Sequence, residues 1–533
     1  MEMQPTESRL TGATKVARAA LVVTLALALS FWGGCGATTS TPGGCAAPSS
    51  AATPAVELTA IEVQQIVGAA AESVDSPIVI AVTNRRGDIL AVFRKALAPP
   101  MAMGNFRTMV DTSELAVSLA RTGAFFSNDQ APLSSRTVRF ISGIHFPPGI
   151  EFQPTADLYG IENTNRGCTL STNYIPGKSV PPARSISGTA TGLGITTGKA
   201  NLDDSEPFAV NPGGVPIFRD GHVVGGIGVA GATPEVGEFA AFTGSISRGF
   251  GPSPAPPGVV VIGGISLPFV IQTTRPAGVG PGSSGGTFIV GPVPSPGPPP
   301  EGDLVAPTTG LVGGLTAAEV RKILDDAIAT ANRTRAAIRL PLCSRTRMVI
   351  AVADLDGTIL GMHRMPDATV FSIDVAASKA RNMVYFNSSS LTALADLGNV
   401  IPSGTAVTNR TISFGSQPLY PAGISPPAGP FFNLYKSDVA IPCTQGSQPG
   451  PPDQNRSGIV FFPGSVPLYR NGVLVGGLGV SGDGVDQDDF VTAVGVDGPP
   501  GFVAPPNIRV DRDGLQVRGV RLPYLKFPRN PTD

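Results

Sequence analysis

Histidine is scarce in this 533-residue chain, which has three, together with one tryptophan, five cysteines and 14% charged residues. No metal-ligand cluster and no nucleophile–base pair can be assembled from so few imidazoles. Neither sign of charge is in excess: 38 basic and 39 acidic residues give a net charge of -1, so there is no global field to draw nucleic acid or an anionic membrane surface, and neither is expected as a partner. Long hydrophobic runs are also missing. The one apolar run, Ala19 to Trp32, falls short of the ~20 residues that a membrane-spanning helix needs. No cysteine spacing matches a zinc knuckle or a Cys-x-x-Cys-His motif.

What the chain does have is 66 Gly and 53 Pro within a 42% hydrophobic composition, which favours β-rich domains joined by stiff linkers. Its length exceeds what one core organises and predicts two domains. Arg9, Lys15 and Arg18 precede the apolar run, which ends in Gly33-Gly34-Cys35; residues 1–35 therefore read as a signal peptide and 36–56 as a flexible segment. Export to the periplasm or the extracellular space follows. The Gly-Gly-Cys ending resembles a lipoprotein cleavage site that would lipidate Cys35 and anchor the chain at an outer membrane or cell surface, although Trp32 stands where leucine is usual. Lipidation and simple secretion both stay open. In either compartment disulfides persist, and Cys45, Cys168, Cys343 and Cys443 allow three connectivities.

The strongest pattern is internal repetition. Leu58-Thr59-Ala60 and Leu315-Thr316-Ala317 each open a helix-like stretch. Val79-Ile80-Ala81-Val82 matches Val349-Ile350-Ala351-Val352, each followed by a glycine turn (Gly87, Gly357) and a strand ending in Arg94 or Arg364. A second helix begins at Thr112 or Ser372, residues able to cap it; Ile373, Ala377, Ala380 and Val384 give it one narrow apolar stripe. Gly213 to Gly231 and Gly464 to Gly482 then read as hairpins around Asp220-Gly221 and Asn471-Gly472. The repeats span 57–272 and 315–527, with a Gly/Pro-rich linker at 273–314. Long Pro/Gly-rich insertions, Ile144 to Pro212 and Gln417 to Gly464, lie before each closing hairpin. Gly226-x-Gly228-x-x-Gly231 has dinucleotide-binding spacing, but it ends an antiparallel hairpin, which excludes that use. Gly282-x-Ser284-x-Gly286 has the spacing of a nucleophile elbow but sits in the linker.

The closing hairpins, GGVPIFRDGHVVGGIGVAG and GSVPLYRNGVLVGGLGVSG, resemble those of the GlcG/HbpS family. The second copy adds His363-Arg364-Met365, Ser378-Lys379-Ala380-Arg381 and Asp486-Gln487-Asp488-Asp489 in the family's order. The first copy has Leu119 in place of Lys379 and Pro234 to Gly237 in place of the acidic cluster. The resemblance implies α/β (α+β) architecture: two profilin-like domains, each an antiparallel sheet flanked by helices. It also implies frequent oligomerisation and association with haem or another planar small ligand.

On that resemblance His363 is the candidate axial ligand and metal-binding residue, Arg364 beside it a partner for a propionate, and Lys379 the more site-like of the helix cations, Arg121 and Arg381 being shared between copies. Against each stands a plainer reading: a half-exposed strand histidine, and a solvated helix face for Lys379 and Arg381. His145, His222 and His363 align with Leu419, Val473 and Phe93, which excludes two equivalent histidine-ligated haems. Cys45–Cys168 and Cys343–Cys443 are the favoured disulfides, with a thiolate ligand as the alternative. The function expected is an exported haem- or planar-ligand-binding protein, more a binder than an enzyme. The rival is a structural or interaction module whose duplicated fold forms a pseudo-dimer in place of a homo-oligomer. A third reading, oxidative haem degradation, rests on the family's name alone.

Overall fold

The computed structural model describes residues 57–103, 109–138, 155–157, 199–201, 212–252, 260–262, 265–267, 269–341, 343–417, 420, 427–434, 459–498 and 501–532. The expected signal peptide, Cys35, Cys45, Cys168, Cys443, His145 and most of both insertions lie outside these residues.

Thr59 and Thr316 begin the repeats by one device. Each hydroxyl accepts from the backbone N–H of the glutamate three residues on, Glu62 or Glu319, and that carboxylate accepts from the threonine N–H at 2.8 Å. In the first repeat this starts α1 (Ala60–Ser73), followed by β1 (Val79–Asn84), β2 (Ile89–Lys95), α2 (Thr112–Phe126), β3 (Gly214–Arg219), β4 (His222–Ala230), α3 (Pro234–Ile246) and β5 (Gly286–Val290). The second repeat comprises β6 (Gly302–Val305), α4 (Ala317–Ala331), β7 (Val349–Ala353), β8 (Ile359–Arg364), α5 (Ser372–Asn387), β9 (Ser465–Arg470), β10 (Val473–Ser481) and α6 (Val485–Asp497). Two five-stranded antiparallel sheets result, in the orders β5-β2-β1-β4-β3 and β6-β8-β7-β10-β9. In each, the second helix covers one face and the first and last helices cover the other. This is the expected α/β architecture.

The tight hairpins form where the sequence places them. Asp220 and Gly221, like Asn471 and Gly472, adopt positive φ at both turn positions, as a two-residue turn matched to strand twist requires. The glycines of β4 and β10 have a packing role. A Cβ on Gly228 would collide with the carbonyl of Ala116, and one on Gly479 with that of Ala376, so their absence lets α2 and α5 lie directly on the strands.

Three expectations change. The segment 273–314 is more than a linker: β5 pairs with β2 and β6 with β8, so it supplies the outer strand of both sheets. The cap of α2 is Asp111, whose carboxylate accepts from the N–H groups of Ser113 and Glu114, and α5 has no side-chain cap at all. Most consequentially, α5 is buried along all of its residues and not through one stripe. Toward its C-terminal end Met383, Tyr385 and Phe386 join Ala393, Leu397, Ile412 and Phe461 of the same repeat, and the first repeat packs at its N-terminal approach. Phe126 stacks on Phe371 at 4.3 Å and 15°, the N–H groups of Val370 and Phe371 donate to Phe125 O at 3.0 and 3.3 Å, and one apolar cluster runs from Leu115 and Phe125 into Met362 and Val370.

Candidate functional site

Successive residues of a strand face opposite sides of its sheet, and this separates the two candidates on β8. His363 is half-buried on the α4 side. Its Nδ1 lies 2.7 Å from Asp303 Oδ1, and Asp303 Oδ2 accepts from Arg321 Nη1 at 2.8 Å. Burial raises the Asp303 carboxyl, but the bonds from His363 and Arg321 outweigh it and hold the group below the usual carboxylate range. An ionised carboxylate only accepts, so Nδ1 carries the proton and the lone pair of the neutral ring sits on Nε2. In the first repeat the same register position holds Phe93 against Phe288, an edge-on ring pair at 5.0 Å. Asp303, the anchor of His363, was missed in the sequence because it belongs to the segment read as linker.

Arg364 does not share that site. It points to the opposite face, is fully buried, and donates to Ala368 O through Nε at 3.1 Å and Nη2 at 2.5 Å and to Pro300 O through Nη1 at 3.1 Å. Burial, reinforced by Arg85, pulls its guanidinium down to about 10. Strand alternation and the carbonyls it serves thus set Arg364 apart from His363, beside which it was expected to pair with a propionate.

Lys379 is a buried residue and not part of a solvated face. Its Nζ donates to Val480 O at 2.7 Å and to Asp488 Oδ2 at 3.0 Å, under Gly464, whose φ is +110° and where a Cβ would lie 2.8 Å from Nζ. Burial pushes Asp488 up to about 7 against the pull of Lys379, and lowers Lys379 against the pull of Asp488. The first repeat replaces both partners at once, with Leu119 and Gly237. Beside this pair Arg410 bonds Asp489 and, at 2.6 Å, Asp486; Arg136 and Glu238 repeat that pairing in the first copy at 2.7 Å. Arg410 also went unnoticed in the sequence, although Ser135-Arg136-Thr137 and Asn409-Arg410-Thr411 are a faint echo of each other.

Arg121 and Arg381 are buried too, and each donates through Nε to the glycine carbonyl of its own repeat's hairpin turn, Gly87 O at 2.9 Å and Gly357 O at 2.7 Å. The repeats meet at a charged seam. Asp367, at φ +59°, accepts from Arg85 Nη2 at 2.7 Å and from Arg339 Nη1 at 2.6 Å, while Arg339 Nε bonds Asp483. Asp129 completes it, with Oδ2 2.6 Å from His222 Nδ1 and Oδ1 accepting from Val223 N at 2.8 Å. Burial raises Asp367, but Arg339 and Arg85 outweigh it and hold the carboxyl far below the usual range.

A cleft of about 360 Å³ lies along β9, lined by Val466, Pro467, Val494, Leu525 and Phe527 with Arg509 and Tyr524. Strand order puts it three strand spacings, ~14 Å, from His363, so the two do not form one site. Among the described residues no group of three or more His, Cys, Asp or Glu could hold a metal ion.

Residues 315–497, which lie within the second repeat, match the model of the family described as "Haem degrading protein HbpS-like". The corrinoid adenosyltransferases PduO of Salmonella typhimurium and Citrobacter freundii are each 28% identical over 155 residues, 29% of this chain and 33% of the relative. The chain thus spans about a third of the length of these curated relatives. Among solved structures, a PduOC:haem complex is 22% identical and covers 33% of this chain and 88% of its own, with a TM-score of 0.20. A double mutant of Streptomyces reticuli HbpS is 17% identical and covers 36% and 88%, also with a TM-score of 0.20.

Proposed function

We propose that the second repeat binds haem or a similar planar small ligand, and that the protein is exported and acts by binding. The match of residues 315–497 to a haem-degrading-type family carries this reading. His363 fits such a ligand in one respect: an imidazole whose Nδ1–H is fixed on a carboxylate presents Nε2 in a set orientation, which is how ligating histidines are commonly held. Haem, when bound, would supply the redox and gas-binding chemistry of its iron; the chain supplies the oriented imidazole of His363, braced by Asp303 and Arg321. Arg364 and Lys379 do not contribute ligand contacts in this reading, being engaged within the protein.

Export is supported by Arg9, Lys15 and Arg18 ahead of the apolar run to Cys35. That Cys343 is disulfide-bonded supports a bridge at this position, and Cys443 is the partner we propose for it.

Haem titration of the mature protein, followed in the Soret region with His363→Ala in parallel, tests the proposal. Saturable binding that the variant loses is the expected result. No binding by either protein overturns it in favour of the second reading, an interaction module in which the first repeat acts as a built-in partner. That reading draws on the seam of Arg85, Asp367 and Arg339 and on the Phe126–Phe371 stack.

A further inference from the structure

The seven methionines among the described residues divide into two groups. Met348, Met362, Met365 and Met383 are buried in the core, whereas Met101, Met103 and Met109 are 45%, 43% and 53% exposed. The exposed three share one small hairpin, Met101–Met103 paired with Met109–Asp111, which joins β2 to α2. The second repeat makes the same connection without a hairpin, passing from Met365 through Phe371 directly into α5.

Ala102 is buried between its exposed neighbours, so Met101 and Met103 project from the same face. The register sets Met103 opposite Met109. Side chains directly opposite have Cβ atoms ~5 Å apart and diagonal ones ~7 Å, both within reach of unbranched thioethers. The root of the hairpin is fixed: Pro99 O accepts from Thr112 Oγ1 at 2.6 Å and Arg94 Nη2 at 3.1 Å, and Thr112 N donates to Pro100 O at 3.0 Å. Asp111, the one carboxylate on these two strands, is committed to capping α2.

Three neutral, polarisable sulfurs without an available carboxylate suit a soft monovalent ion and disfavour hard or divalent ones. We propose that Met101, Met103 and Met109 form a binding site for a soft monovalent metal ion of the Cu(I)/Ag(I) class. Thioethers do not titrate, so the site holds its ion at acidic pH, where imidazole and thiol ligands bind protons instead.

The test is calorimetric titration of the mature, oxidised chain with Ag(I), a redox-inert probe, in chloride-free buffer at pH 7 and pH 5. One saturable equivalent at both values is expected, unchanged in His363→Ala and lost in the triple variant Met101→Leu, Met103→Leu, Met109→Leu. Leucine conserves volume, and these side chains lie outside the core, so the triple variant should keep the parent's circular dichroism; Met103→Leu alone should weaken binding. Absence of a saturable equivalent, its disappearance at pH 5, or its persistence in the triple variant overturns the proposal.

Discussion

Arg85 Nη2 and Asp367 Oδ1 lie 2.7 Å apart across the seam between the repeats, each arriving from a different copy. Asp367 sits at φ +59°, in the tight connection that replaces the first repeat's methionine hairpin, and this places its carboxylate between Arg85 and Arg339. The seam is thus built from a feature that the two copies do not share.

Asp367→Asn leaves two largely buried arginines without their common anion. Breaking a buried pair on one side costs ~3–5 kcal/mol, and urea unfolding should show a loss of that order. The wild-type carboxyl is depressed, so its contribution is present above the ordinary carboxyl range and lost as pH falls below it. The gap between the two proteins should accordingly close in acid; a constant gap, or none, would contradict this role.

Lys379→Leu alone leaves the buried Asp488 carboxyl, neutral once the lysine is gone, without its hydrogen-bond partner and should destabilise by ~1–3 kcal/mol. Adding Asp488→Gly recreates the Leu119 and Gly237 arrangement of the first repeat. The double variant should regain most of the loss, less ~1 kcal/mol for glycine within α6. Additive losses in a double-mutant cycle would rule out the direct coupling.

Asp488 has the opposite pH signature to Asp367. Burial raises it to about 7, so its contribution is complete below the ordinary carboxyl value and is lost as pH rises through about 7. Between pH 5 and pH 8 the wild type should lose stability relative to Asp488→Asn. A pH-independent difference in urea midpoints between the two proteins would exclude the raised value.

Asp303→Asn removes the carboxylate that orients His363. If His363 ligates haem, affinity should fall ~10–100-fold, the usual effect of losing such a partner, while Arg364→Lys should change stability before it changes affinity. Equal haem affinities for wild type and Asp303→Asn would separate His363 from the ligand.

Much of the fold was legible because its signals are local. Thr59 and Thr316 cap their helices within four residues, and Asp220-Gly221 and Asn471-Gly472 fix their turns within two. The site was less legible because its contacts are remote. Asp303 reaches His363 from a Pro- and Gly-rich stretch whose composition conceals a short edge strand. Lys379 reads as a surface cation until Asp488 is brought to it from the other end of the repeat, and α5 reads as amphipathic until residues such as Ala393, Leu397, Ile412 and Phe461 of its own repeat cover its outer side. The separation of His363 from Arg364 was available throughout, since it follows from the period of a strand.

The strands β5 and β6 have one more effect. Without them β2 and β8, rich in buried apolar residues, would present open rows of backbone N–H and C=O groups, the template on which chains add to one another. A protease that cut the chain and released residues 286–305 would thus do more than separate two halves: it would turn each into a seed for edge-to-edge aggregation.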